Sequence, residues 1–167
     1  MTSILIDTRE PWPHPWEKHL PDAKFVQCGL ETGDIALAGN PAIVVERKTV
    51  NDFLGTITAG RDRFKNELKR ARDLQQFHII VEGSMIDCVN QKGGMTMASL
   101  IGTVAAISRR SCPIHFACTE KYAAQLAYAI LTQPYNEANK LATSVSRAAK
   151  KAEKAKAPLN EDGTALY

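Results

Sequence analysis

Six short runs of apolar, mostly β-branched residues punctuate the first 117 positions: Ser3–Thr8 (SILIDT), Phe25–Cys28, Gly33–Leu37 (GDIAL), Ala42–Lys48 (AIVVERK), Phe77–Glu82 (FHIIVE) and Pro113–Ala117. Their length and composition predict strands. A different spacing separates them. Thr49-Val50-Asn51-Asp52 has the form of a capping box and predicts a helix start. Gly60 interrupts that helix, and Arg61–Leu74 restarts it with Phe64, Leu68 and Ala71 on one stripe. Met97–Ser108 and Thr119–Leu131 predict two further helices. Gly39-Asn40-Pro41 predicts a turn that makes a hairpin of the third and fourth strands. Pro11, Pro13 and Pro15 force an extended loop containing Trp12 and Trp16. Three strands followed by alternating helices and strands imply an α/β domain, a mixed sheet flanked by helices on both faces.

The apolar pattern fades after Pro134. Residues 139–157 are rich in lysine and alanine, with little to bury. The expected organisation is therefore a domain over residues 1–133 and a basic tail over 134–167, partly helical or disordered. Its cations include Lys140, Arg147, Lys150 and Lys151; the tail serves either as a solubilising end or as a phosphate contact. At 167 residues, 44% hydrophobic, the chain suits one ordinary core. It contains neither a run long enough to span a bilayer nor a leader pattern, which gives the expectation of a cytoplasmic protein and no membrane partner. The four cysteines lack zinc spacing and are expected as free thiols. A net charge of +3 permits a nucleic-acid partner without requiring one.

The fourth strand raises the chemical question, because I-V-V runs without a break into Glu46-Arg47-Lys48. Strand alternation sends Glu46 and Lys48 to one face and Arg47 to the other. In the hairpin, Asp34 starts the strand beside the end that carries Glu46, so the two carboxylates converge with Lys48 nearby. Asp7 ends its own strand and joins them if that strand is adjacent. Carboxylates this close repel unless something neutralises them. An all-oxygen donor set favours Mg²⁺, with Mn²⁺ able to substitute. Metal, acids and lysine together describe phosphodiester hydrolysis. A solvated strand edge with a surface ion pair is the bland alternative.

The flanking residues narrow the choice. Gly33-Asp34, then Glu46-Arg47-Lys48-x-x-x-Asp52, Asp7-x-Arg9-Glu10 near the start and Gly60-Arg61 after the first helix resemble the nuclease domain of the XPF family of structure-specific endonucleases. The similarity runs from about Ser3 to about Leu131. It implies a restriction-endonuclease-like fold and metal-dependent cutting of branched, flapped or forked DNA. It implies Asp34, Glu46 and Asp7 as metal-site carboxylates, Glu10 as a further ligand, Lys48 as the catalytic lysine and Arg9 facing the scissile phosphate. Arg47, Arg61, Arg63 and Lys65 are the expected DNA-facing cations, Arg47 with sheet anchoring as its alternative. Family members commonly carry a tandem helix-hairpin-helix module after this domain; here the lysine/alanine tail follows instead. The family dimerises, and the intact motif makes a homodimer the expectation, through the later helices of the domain. A compact form without the module points to a bacterial or phage source. Two other readings stay open: a non-cleaving DNA-binding subunit, and a related exonuclease or junction resolvase. Asp52 has a capping role sufficient to explain it. Trp12 and Trp16 either pack over the sheet or stack on an unpaired base.

Overall fold

The computed structural model describes residues 2–156, without the side chains of 135, 136, 139 and 152–156. Six strands form one mixed sheet: β1 (Thr2–Asp7), β2 (Ala23–Cys28), β3 (Ile35–Leu37), β4 (Asn40–Thr49), β5 (Gln76–Glu82) and β6 (Ile114–Phe116). Their spatial order is β2-β1-β3-β4-β5-β6. The β1–β2, β4–β5 and β5–β6 pairs are parallel; β3 runs antiparallel to both its neighbours. The expected β3–β4 hairpin is present, and its turn is shorter than Gly39-Asn40-Pro41, because Leu37 already pairs with Asn40.

Side-chain alternation divides the core in two. Ile43, Val45 and Ile80 face α5 (Glu120–Lys156), whose Ala123, Ala124, Ala127 and Leu131 are buried against them along with Trp16. Val44, Ile79 and Val81 face the opposite layer. That layer comprises α1 (Val50–Ile57), α2 (Arg61–Arg70), α3 (Met85–Asn90) and α4 (Met97–Arg110). Thr49 caps α1 by accepting from Asp52 N at 3.2 Å, and its hydroxyl donates to the Asp52 carboxylate. The α3 helix was not anticipated. It is six residues long and rests on a Ser84–Asp87 capping box, with Cys88 as its one buried residue.

The compact unit that holds this sheet ends at Leu131, and a second unit begins at Thr132. In that second unit the helical residues Lys140, Arg147, Lys150 and Lys151 are exposed. Tail residues 157–167 lie outside the described part. All four cysteines are free. No described helix is long and apolar enough to cross a membrane.

Candidate active site

The site is built where β3 enters the sheet beside the end of β4. Gly33 precedes β3 at φ +78°, and a Cβ there would lie 2.2 Å from Val44 Cγ1. Only glycine admits this backbone and this close approach. The chain then commits to the sheet: Asp34 N donates to Val45 O at 3.0 Å, and Ile35 pairs with Val45. Continued by one residue, this register sets Asp34 opposite Glu46. Ala36 and Val44 belong to the core on the helical-layer side, so Asp34, Glu46 and Lys48, two or four positions along, emerge on that same face.

Lys48 Nζ donates to Glu46 Oε1 at 2.5 Å, with both residues buried. Burial alone would depress the lysine, but the charge of Glu46 and the hydrogen bond to it outweigh that, and Lys48 is held as an ammonium. Asp34 accepts from Arg47 N at 2.8 Å. Burial, reinforced by the charges of Glu46 and Glu10, pushes its carboxyl up to about 8. A cavity of 440 Å³ opens over these groups, its walls including Glu10, Asp34, Glu46, Lys48, Asp52 and Glu67. A second cavity of 450 Å³ shares Asp34, Glu46 and Glu67 and adds Arg9, Arg63 and Arg70.

Glu67 is the acid that sequence reasoning missed. It sits among Asp62, Lys65, Lys69 and Arg72 and resembles one charge of a solvated helix. Its position three residues after buried Phe64 turns it inward. Burial first, then the charge of Glu46, raises its carboxyl to about 7. The same helix separates the expected DNA cations. Arg63 lines both acidic cavities, whereas Arg61 and Lys65 line a separate 180 Å³ groove between α2 and α4, together with Arg110. Lys65 also pairs with Asp62 at 3.0 Å on the surface.

Asp7 lies away from both cavities, while Arg47 and Glu10 line the first and are also tied into ion pairs. Asp7 is 1% exposed and lines neither acidic cavity. Its Oδ1 accepts from Arg9 N and Nε, and its Oδ2 accepts from Leu30 N at 2.6 Å. Burial opposes ionisation, yet the hydrogen bonds from Arg9 and Leu30 keep its pKa low. Asp7 is thus committed to holding Arg9, whose guanidinium also donates to the carbonyls of Leu30 and Gly33 at 3.2 and 3.3 Å. Arg47 is among the residues lining the first cavity, and its side chain is engaged in ion pairs. It lies on the opposite face from Glu46, forks onto Glu82 at 2.8 and 2.9 Å and reaches Glu10 at 3.4 Å. Glu10 lines the cavity but is shared with His14 at 3.3 Å; that hydrogen bond, against burial and with help from the charge of Arg47, lowers its pKa.

The donor set around the cavity is oxygen throughout. Among the described residues, no three His, Cys, Asp or Glu side chains converge on one point. This fits a hard cation that takes one or two carboxylates and completes its shell with water and phosphate oxygens.

The sheet and its flanking helices define a restriction-endonuclease-like α/β domain. Residues 6–130 match the ERCC4 domain, and the chain belongs to that family, with the fold of an XPF nuclease domain. XPF from Aeropyrum pernix superposes with a TM-score of 0.64 at 23% identity, covering 79% of this chain and 61% of that one. The same protein in complex with DNA gives 0.66 at 23% identity, covering 82% and 66% respectively. This chain therefore spans less than two thirds of the length of those relatives. No curated protein matches its sequence.

Proposed function

We propose that this domain is a metal-dependent endonuclease that hydrolyses phosphodiester bonds in branched, flapped or forked DNA. The observation that carries the reading is the buried Glu46–Lys48 pair standing opposite Asp34 at the floor of an open acidic cavity. A fold has little structural use for clustered carboxylates whose pKa values are pushed up by burial and by one another. They suit a cation and a phosphate. Family membership and the DNA-bound relative support DNA as the polymer.

Asp34 and Glu46 are the residues that would hold Mg²⁺ or Mn²⁺. When bound, the ion supplies Lewis-acid polarisation of the phosphoryl group and charge for the acids to balance against. Lys48, kept protonated by Glu46, is unsuited as a base. Its N–H groups face the cavity and stabilise negative charge developing on the phosphate. Asp7 fixes Arg9 at the mouth of the second cavity, where Arg9 and Arg63 hold backbone phosphates in place. Arg47 acts through the sheet: its backbone N–H fixes Asp34 while its side chain anchors the far face. Exposed Ile101 on α4 and Tyr122 at the start of α5 support a homodimer through the later helices.

A panel of labelled flap, fork, four-way junction and linear DNA, incubated with Mg²⁺, Mn²⁺ or chelator, tests the proposal. Internal cuts in branched forms that need metal are expected. Cutting only from linear ends, or metal binding without any cutting, contradicts it.

A further inference from the structure

The proline-rich loop holds two tryptophans with opposite environments. Trp16 is 1% exposed, in the core, and its indole N–H donates to Glu82 Oε1 at 2.6 Å. Trp12, four residues earlier, is 50% exposed. The loop between them is firmly anchored. His14 has a fully buried side chain that meets Trp16 edge-on at 5.4 Å and Phe25 at 6.0 Å, and its Nε2 reaches Glu10. Its backbone N–H donates to the Glu17 carboxylate at 3.2 Å. Pro11 and Pro13 restrict the backbone on either side of Trp12. Trp12 is thus a large aromatic displayed on an ordered support, so stacking there costs little ordering of the chain.

Its location supplies a ligand. Glu10 and Arg9 line the two acidic cavities, and Trp12 follows them by two and three residues. At roughly 3.3–3.6 Å per residue, the Trp12 backbone lies within about 7 Å of that of Glu10. Trp12 does not itself line either cavity, but unlike Ile86, Ile101 and Tyr122, the other exposed large apolar residues of the compact unit, it follows cavity-lining residues within three positions of the chain. Arg9, with a side chain 64% exposed, lines the second cavity with Asp34 and Glu46 and suits a phosphate of the same strand. We infer that Trp12 is a stacking platform for an unpaired nucleobase one or two nucleotides from the scissile phosphate. The substrate class is then DNA with a single-stranded arm beside the cut, because every base offers a π-face but a paired base is already stacked. This inference rests on the proposed nuclease function.

The test uses full-length protein in chelator, with fluorescent forked DNA, single strands and blunt duplex, for wild type, Trp12→Ala and Trp12→Phe. Trp12→Ala is expected to weaken fork and single-strand binding about tenfold and leave duplex affinity within about twofold; Trp12→Phe restores most of the loss. Oligothymidylate is also expected to quench wild-type tryptophan fluorescence but not that of Trp12→Phe, whose remaining indole is buried. Unchanged melting of Trp12→Ala separates the effect from misfolding. Equal losses on fork and duplex, no loss on either, or quenching that persists in Trp12→Phe overturns the inference while leaving the nuclease reading intact. Wild-type protein that binds no DNA overturns both.

Discussion

The ammonium of Lys48 lies 2.5 Å from Oε1 of Glu46, two positions back on the same strand, and each side chain is only 10% exposed. A pair this buried is costly to break, because the survivor keeps its charge without its partner. Lys48→Ala is therefore expected to lower stability in chelator by about 3 kcal/mol. Added Mg²⁺ should narrow the gap, since a bound cation takes over neutralisation of Glu46 and stabilises by mass action. Thermal melts of both proteins with and without metal check this; an Mg²⁺-insensitive gap contradicts it.

Glu67 adds negative charge to a cavity that it shares with Asp34 and Glu46, and the charge of Glu46 repels it. Removing that charge without changing shape should relieve the metal-free protein. Glu67→Gln is expected to melt higher than wild type in chelator at pH 8, and to gain less from Mg²⁺. A lower melting point in chelator would mean that Glu67 serves chiefly as a structural acceptor.

Arg47 separates a structural account from a DNA-binding one. Its guanidinium joins Glu82 to Glu10, and those acids in turn hold Trp16 and His14. Arg47→Ala should cost about 3 kcal/mol of stability by leaving the buried Glu82 charge without its cation, the Trp16 indole N–H remaining as a donor. The folded fraction should bind duplex DNA with nearly wild-type salt dependence, because no phosphate contact is lost. A salt slope reduced by about one, with melting unchanged, would return Arg47 to the DNA interface.

His78 and His115 stack on neighbouring strands, Nδ1 to Nε2 at 3.1 Å, remote in sequence from the acidic motif. Burial, and for His78 also the charge of His115, holds both pKa values below the usual histidine value. The unfolded chain therefore binds more protons than the folded one near and below about pH 6.5. Stability from this pair is present above that pH and is lost as pH falls through the depressed folded values. His115→Gln should flatten the fall in melting temperature between pH 7 and pH 5, which a pH series of melts measures; an unchanged slope contradicts this.

The strands and the Asp34–Glu46–Lys48 alignment were legible because both depend on local quantities. β-Branched runs mark strands, alternation sets faces, and a short hairpin fixes which residues oppose. The hydrogen-bond partners of Asp7 and Arg47 were not legible. Each carries a free-looking charge at or near a strand end, and the deciding partner is remote: Leu30 for Asp7, Glu82 for Arg47. Glu67 was hidden by the mixed charges of its helix, although its spacing from Phe64 was a usable signal. The α3 helix was too short to show a periodic face, and Gly93-Gly94 after it suggested a loop. The two tryptophans illustrate the same limit. Composition placed both in one stiff loop, but the hydrogen bond that buries Trp16 needs Glu82, 66 residues away.

Cleavage of a labelled DNA fork by wild type and Lys48→Ala, each with Mg²⁺ and with chelator, tests the central claim most directly, provided fork binding is measured alongside. Wild type should cut internally with Mg²⁺ and not in chelator. Lys48→Ala should bind the fork nearly as well and cut about 10²–10³-fold more slowly. Equal cutting by the two proteins, or wild-type cutting undiminished by chelator, would contradict a metal-dependent site assisted by this lysine.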